Sequence, residues 1–247
     1  MRILLVSTPR CGNMWTRRLL RSLYELEERS VHDAGDLDWD ALPDRVVVQL
    51  HANRTPELEQ QLERHGFRVG VLARHPLDVL ISILHFARHE PQTANWLGGA
   101  HGDERKILDA TPTSRAFIRY ATSKRATALL AITPQWWDRA DVQIRYEDLL
   151  ANTHRELELI AEALDEEPVK SYDEVLAEVN FGTLQSEAQN VHFWRGSSGS
   201  WQELLTIPVA RKLVDAHADV LGKLGYLAFP DERTARARWS DLLVQPR

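Results

Sequence analysis

Four short apolar runs punctuate the chain, at residues 3 to 7, 45 to 50, 67 to 73 and 142 to 146, and stretches with helical spacing of apolar positions separate them. Continuous runs of this length, rich in Val, Ile and Leu, read as strands buried on both faces. Their alternation with helices predicts an α/β fold: a parallel sheet flanked by helices on both faces, in a single domain. The first run, Ile3-Leu4-Leu5-Val6, passes through Ser7-Thr8-Pro9-Arg10-Cys11-Gly12-Asn13-Met14-Trp15 into a helical pattern, so it reads as strand, tight turn and helix N-terminus. Such a turn is an anion site, because the first N–H groups of a helix have no intrahelical acceptor and the macrodipole is positive there. Arg10 adds a full charge. No Lys-Ser or Lys-Thr follows Gly12, so the GxxxxGK[ST] pattern of an ordinary ATP or GTP loop is absent. Two readings of this segment stand side by side: a site for another phosphate-like group, and a Rossmann-like first turn with a decorative Arg10.

The later runs add polar residues at the same edge. Val46-Val47-Val48-Gln49-Leu50 ends in His51, and Phe67-Arg68-Val69-Gly70-Val71-Leu72-Ala73 ends in Arg74. In an open parallel sheet the C-terminal edge is where ligands bind. After Arg74, Pro76 suits a first helical position, and Leu77, Leu80, Ile81 and Leu84 follow at helical spacing, which puts Ser82 near the start of a helix. Phe193-Trp194-Arg195-Gly196-Ser197-Ser198-Gly199-Ser200-Trp201 sets one Arg among glycines and serines, a composition that can fold over a phosphate.

Together these segments resemble the sulfotransferase family that uses 3′-phosphoadenosine 5′-phosphosulfate (PAPS). Pro9 to Trp15 looks like its 5′-phosphosulfate loop, usually written PKSGTTW. Arg74 to Ser82 is similar to its 3′-phosphate motif, an Arg followed eight positions later by Ser across a Pro and an Asp. Trp194-Arg195-Gly196 with Gly199 and Trp201 looks like its RKGxxGxW loop, and Tyr146-Glu147-Asp148-Leu149 matches its YEDL segment, here preceding a helix opened by the capping pair Thr153 and Glu156. The resemblance implies a P-loop-like fold and one sulfotransferase domain over residues 1–247, with an acceptor-side insertion about 86–113 and a C-terminal helical segment about 203–247. The chain departs from the pattern with Arg10 for Lys, with Cys11, Asn13 and Met14 for Ser, Thr and Thr, and with Trp194 for Arg.

What the resemblance implies for the site follows motif by motif. PAPS is the expected sulfuryl donor, with no metal. Arg10, Cys11, Gly12, Asn13, Met14 and Trp15 line the 5′ side, where Arg10 stabilises the departing oxygen and Trp15 stacks on adenine or packs in the core. Arg74, Ser82, Arg195 and Gly196 bind the 3′-phosphate. The family's general base is a His just after the second core strand, which matches His51, with Gln49 where some members place Lys; the other reading of His51 is a structural hydrogen bond. Sulfuryl transfer needs positioning and charge stabilisation of a loose in-line transition state, which these residue types supply. Two rival functions remain open: an atypical nucleotide or small-molecule kinase, and a non-catalytic nucleotide-binding protein with the same fold.

Composition narrows the rest. A net charge of −6 over 247 residues gives no general attraction to nucleic acid, and a single Cys excludes an intramolecular disulfide. No apolar run approaches the ~20 residues that cross a bilayer. The first strand follows Met1-Arg2 directly, leaving no room for a signal peptide, so a cytoplasmic protein is expected. From His89 to Pro112 the sequence holds Pro91, Gly98, Gly99 and Gly102 with little periodicity and reads as a long loop, either functional or a surface loop with no ligand role. It is assigned to the acceptor, a hydroxyl- or amine-bearing small molecule or glycan, with His85, His89 and Trp96 as candidate substrate-binding residues and His101 and Arg105 beside them. His85 and His89 have metal-ligand spacing but no third ligand spaced to join them, so no metal is expected. Asp33 to Asp44 reads as a solvated acidic loop, and Trp136-Trp137 as packing beneath the strand that starts at Val142.

Overall fold

The computed structural model describes residues 1–89, 103–180 and 196–226. The chain divides into two compact units, Met1–Arg74 with Ala131–Ser186, and His75–Leu130 with Glu187–Arg247.

The first unit carries a five-stranded, wholly parallel sheet: β1 (Arg2–Val6), β2 (Glu27–Val31), β3 (Val46–Leu50), β4 (Phe67–Ala73) and β5 (Val142–Arg145), in the spatial order β2-β3-β1-β4-β5. The four expected strands all form. β2 was not legible as a strand. Its sequence, EERSV, is polar, and no residue in it is fully buried, because it lies at the sheet edge, where pairing with β3 gives the backbone hydrogen bonds and apolar side chains are not needed. The three central strands, by contrast, bury nearly every side chain, as two-sided burial requires.

Direction of travel sets the flanking helices. From β1 the chain passes through α1 (Asn13–Tyr24) to β2 on one side, whereas from β3 it passes through α2 (Pro56–Arg64) to β4 on the other. Right-handed crossovers in opposite directions put these two helices on opposite faces. The reversal occurs at β1, so the crevice beyond the C-terminal ends of β1 and β4 is a topological switch point, the place where doubly wound sheets bind ligands. Register brings the ends of β1 and β3 level, with Val6 paired to Leu50, while β4 pairs through Val71 and runs on to Ala73.

Four helices complete the described part of this unit's second half: α6 (Ile132–Trp137), α7 (Tyr146–Ala151), α8 (Thr153–Leu164) and α9 (Tyr172–Glu178). Two details differ from the sequence reading. Tyr146 to Leu149 is itself helical rather than a lead-in, and α8 is capped not by Thr153 but by Asn152, whose side chain accepts from the Arg155 N–H at 3.1 Å. Asn152 ends α7 and opens α8 at once; Thr153 instead donates its hydroxyl back to Leu149 O at 2.8 Å.

The second unit is helical in its described residues. α3 (Pro76–His89) is buried on all sides from Pro76 to Ala87, which its continuous apolar sequence requires. α10 (Ser200–Leu204) and α11 (Ile207–Ala216) pack against it, α4 (Arg115–Ala121) packs on α5 (Lys124–Leu130) and α11, and α12 (Ala218–Leu224) packs on α11. Regular structure occurs among the described residues of the stretch expected as one loop from His89 to Pro112: α3 runs through His89, and Asp103–Ile107 forms a 3₁₀ turn whose Glu104, fully buried, accepts from Tyr120 OH and Arg125 Nε, both at 3.1 Å. Residues 90–102 lie outside the described residues, Trp96 and His101 among them. The expected C-terminal helical segment appears as α10 to α12, and residues 227–247 also lie outside.

Candidate active site

In the first unit, the loops that leave β1, β3 and β4 bring three expected residues to the same sheet edge. The β1–α1 loop turns through two left-handed residues, Arg10 (φ 71°) and Gly12 (φ 102°). Gly12 is the N-cap of α1 and offers no side-chain cap, and the first turn has no acidic residue. The leading N–H groups of a twelve-residue helix thus face this turn without an intrahelical acceptor, which suits an oxyanion. Gly12 is required for space as well as conformation, since a Cβ there would lie 2.6 Å from Tyr146 Cδ2.

Tyr146 is a floor under this loop. Trp15 meets its ring edge-on with centroids 6.1 Å apart, and the Arg74 guanidinium lies 4.4 Å above its centroid. Arg74 Nη1 also donates to Arg10 O at 3.2 Å, so the residue after β4 and the loop after β1 are tied directly. Trp15 is 8% exposed and packs on Tyr146.

The departures from the PKSGTTW pattern have visible consequences. Asn13 is buried, and its Oδ1 accepts from the Ser7 hydroxyl, bracing the loop's two ends and leaving the amide NH₂ and the backbone N–H as its donors. Cys11 is also buried; burial pushes its thiol up to about 12, so it stays protonated, and its sulfur takes a hydrogen bond from the Arg74 backbone. Met14 opens the first turn of α1 beside Asn13, half-exposed.

His51 sits one residue beyond β3, buried, with Nδ1 at 2.9 Å from Ser7 O and Nε2 at 3.2 Å from Gln49 Nε2. A carbonyl only accepts, so Nδ1 carries the proton. The Gln49 Oε1 accepts from Arg17 Nη1 at 2.9 Å, which turns the Gln49 NH₂ toward His51 and makes Nε2 an acceptor. Burial is the main cause that lowers the His51 pKa to about 4, with His32, Arg10 and Arg17 adding to it and the Ser7 hydrogen bond opposing it. The ring is therefore neutral at pH 7, as a general base must be.

Sequence reasoning missed the element that holds both loops. Thr133, in α6, accepts from Thr8 N at 2.7 Å and donates to Thr8 Oγ1 at 3.0 Å. One turn along, Trp136 Nε1 donates to Ala52 O at 2.9 Å, next to His51. The i, i+3 spacing puts Thr133 and Trp136 on one helix face, and that is the signal a Thr-x-x-Trp pair before β5 could have given.

In the second unit, Asp78 organises the C-terminal motif. Its Oδ2 accepts from Gly199 N at 2.6 Å and its Oδ1 from Trp201 N at 3.0 Å, while His75 stacks on Trp201 with centroids 4.9 Å apart. Gly196 has a left-handed φ of 58°, a conformation in which its lack of a Cβ is an advantage. Ser82 is buried in the second turn of α3. His85, fully buried, and His89 lie further along α3 with ring centroids 4.5 Å apart. Arg195, like Trp194, lies outside the described residues.

Comparison with known proteins accounts for this arrangement. The family model of the sulfotransferase domain matches residues 1–225, and the chain belongs to that family. It is 24% identical over 231 residues to mouse (Mus musculus) sulfotransferase 6B1, covering 82% of this chain and 70% of that protein. Among solved structures it is similar to mouse sulfotransferase SULT7A1 complexed with PAP (TM-score 0.66, 18% identity, 90% of this chain and 84% of that one). It is similar also to retinol dehydratase in complex with androsterone and the inactive cofactor PAP (TM-score 0.62, 15% identity, 89% and 80%). The fold is that of the sulfotransferases. No helix among the described residues is long and apolar enough to cross a membrane.

Proposed function

We propose that this sulfotransferase moves a sulfuryl group from PAPS to a hydroxyl or amine of a small molecule or glycan, with His51 as general base. The observation that carries the reading is His51: a neutral, buried imidazole whose Nε2 is an acceptor, at the same sheet edge as an anion-binding turn. PAPS, when bound, supplies the sulfuryl group and takes up the electron pair of the breaking S–O bond as 3′,5′-bisphosphoadenosine. Both solved relatives named above hold PAP, which supports this donor.

The chain's residues divide the work. The N–H groups of the Arg10–Trp15 turn hold the 5′-phosphate, and Arg10 offsets charge on the departing oxygen, a contribution of the oxyanion-hole kind. Arg differs from Lys here: it stabilises charge but does not hand over a proton. His51 Nε2 takes the acceptor's proton as the new O–S or N–S bond forms, worth roughly 10²- to 10⁴-fold in rate. Arg74 is assigned to the 3′-phosphate, with Ser82, Arg195 and Gly196 carried over from the matched motifs. Metal is not part of the scheme, and His85, His89 and Trp96 are assigned to the acceptor.

Titration calorimetry with 3′,5′-bisphosphoadenosine, AMP and MgATP tests the donor. The bisphosphate binds at least about 100-fold more tightly than AMP, as two lost charge-assisted contacts of about 1.5 to 3 kcal/mol each imply. Equal binding of bisphosphate and AMP contradicts the assignment, and preference for MgATP would favour a kinase.

A further inference from the structure

Glu28 on β2, Arg17 on α1, Gln49 on β3, His51 and Ser7 form one unbroken series of hydrogen bonds across the sheet edge. Arg17 Nε donates to Glu28 Oε2 at 3.0 Å and Arg17 Nη1 to Gln49 Oε1 at 2.9 Å. Gln49 Nε2 then reaches His51 Nε2 at 3.2 Å, and His51 Nδ1 reaches Ser7 O at 2.9 Å. Every orientation in the series is determined, because guanidinium can only donate and the backbone carbonyl can only accept.

We infer that Arg17 and Gln49 are positioning residues for His51: they hold its neutral ring in the Nδ1–H form and cover the Nε2 lone pair with an amide N–H until an acceptor hydroxyl takes that place. The inference rests on the reading of His51 as the base. Gln49 and Ser7 act on the ring in the same sense from opposite ends, one donating to Nε2 and the other accepting from Nδ1. A rotation of the Gln49 amide would present Oε1 to the ring and stabilise a proton on Nε2. Arg17 forbids that rotation by holding Oε1, and Glu28 in turn fixes Arg17 through its Nε.

The surrounding charges agree with this assignment. The cationic or titratable groups acting on His51 are His32, Arg10 and Arg17, and each opposes an imidazolium, while the Ser7 carbonyl works the other way by holding the proton on Nδ1. Arg17 reaches His51 only through the neutral Gln49 amide, and its own charge is paired with Glu28, the two side chains being 12% and 29% exposed. The ring is thus kept unprotonated and oriented without a carboxylate partner, the device many catalytic histidines use.

Nitrogen-15 NMR of the His51 ring in the full chain, free and with 3′,5′-bisphosphoadenosine, tests the inference without needing turnover. In wild type, Nδ1 carries the proton at pH 7 and Nε2 does not. Gln49→Glu, close to isosteric, puts a carboxylate oxygen where the N–H was. His51 then titrates about one pH unit higher or more, and the acid limb of the kcat profile moves up by the same interval. Arg17→Met provides a second variant: the freed amide gives a mixture of ring tautomers and a several-fold lower kcat, with bisphosphate affinity unchanged. An Nε2–H ring in wild type, or the same His51 titration in wild type and Gln49→Glu, overturns the inference. A single Nδ1–H form with unchanged kcat in Arg17→Met does so as well. These spectra report the hold on the ring alone, whereas full turnover in His51→Ala would remove the base reading, so the two failures are distinguishable.

Discussion

Gly12 lies so close to Tyr146 that a Cβ on residue 12 would stand 2.6 Å from Cδ2 and 2.9 Å from Cε2 of the ring. The floor of the β1–α1 turn is therefore the first residue of α7, and the turn's shape depends on a tyrosine more than 130 positions away in the chain. Gly12→Ala is expected to cost roughly 1 to 3 kcal/mol of stability, from the left-handed backbone and the clash together. It should also weaken bisphosphate binding about tenfold or more, as about 1.4 kcal/mol of distortion at the turn implies. Urea unfolding and calorimetry check both, and a variant with wild-type stability and affinity would show that the ring yields freely.

α6 supports the site through two contacts that can be removed one at a time. Thr133→Val deletes the acceptor for the buried Thr8 N–H, and such an orphaned donor costs about 1 to 3 kcal/mol. Trp136→Phe keeps the packing but loses the bond to Ala52 O. The expected outcome is a division of effects: Thr133→Val raises the bisphosphate Kd, while Trp136→Phe lowers kcat with that Kd unchanged. Identical effects of both variants would indicate that α6 acts on the fold and not on the two loops separately.

The central strands, the turn after β1 and the polar residues after β3 and β4 were legible because two-sided burial writes continuous apolar runs, and the residue that ends each run is conspicuous. Other features carried no local signal. β2 is an edge strand whose pairing is in the backbone, and Thr133, Trp136 and Tyr146 earn their places through contacts across distant sequence. Trp136 reads as a packing residue from sequence, and it is one, with 0% exposure, but its indole N–H also fixes the chain beside His51. From sequence Gln49 reads only as a substitution for Lys. Its role depends on Arg17 and Glu28, which no spacing rule connects to it.

Acid should weaken the protein before it protonates the base in the folded state. The folded His51 pKa of about 4 lies below the ordinary 6.5, so the unfolded chain binds more protons in that window, and stability falls as pH drops from 6.5 toward 4. His217, lowered mainly by burial, acts in the same direction. The His51 contribution is about 3 kcal/mol by pH 4, at about 1.4 kcal/mol for each pH unit between the two values. Unfolding free energies measured across this range should have a shallower slope in His51→Ala than in wild type, and equal slopes would place the ring's folded pKa near its ordinary value.

Asp78 is expected to control the Gly196–Trp201 segment from the first turn of α3. Asp78→Asn keeps the shape but leaves only one oxygen for the Gly199 and Trp201 N–H groups, one of which loses its acceptor. Hydrogen exchange at the amides of residues 199 and 201 should rise by about tenfold or more, as loss of about 1.4 kcal/mol or more of local protection implies. Unchanged protection at both amides would show that the loop is held by other contacts.

Transfer itself is the most direct test. Wild type and His51→Ala are mixed with sulfur-35-labelled PAPS and a panel of small hydroxyl and amine acceptors in EDTA, and labelled product and 3′,5′-bisphosphoadenosine are followed together. The account predicts acceptor-dependent release of bisphosphate in equal amount to labelled product, undiminished by EDTA, and slower in His51→Ala by about 10²-fold or more while bisphosphate affinity is retained. Transfer by His51→Ala at the wild-type rate, or bisphosphate release that requires a divalent metal, would contradict it.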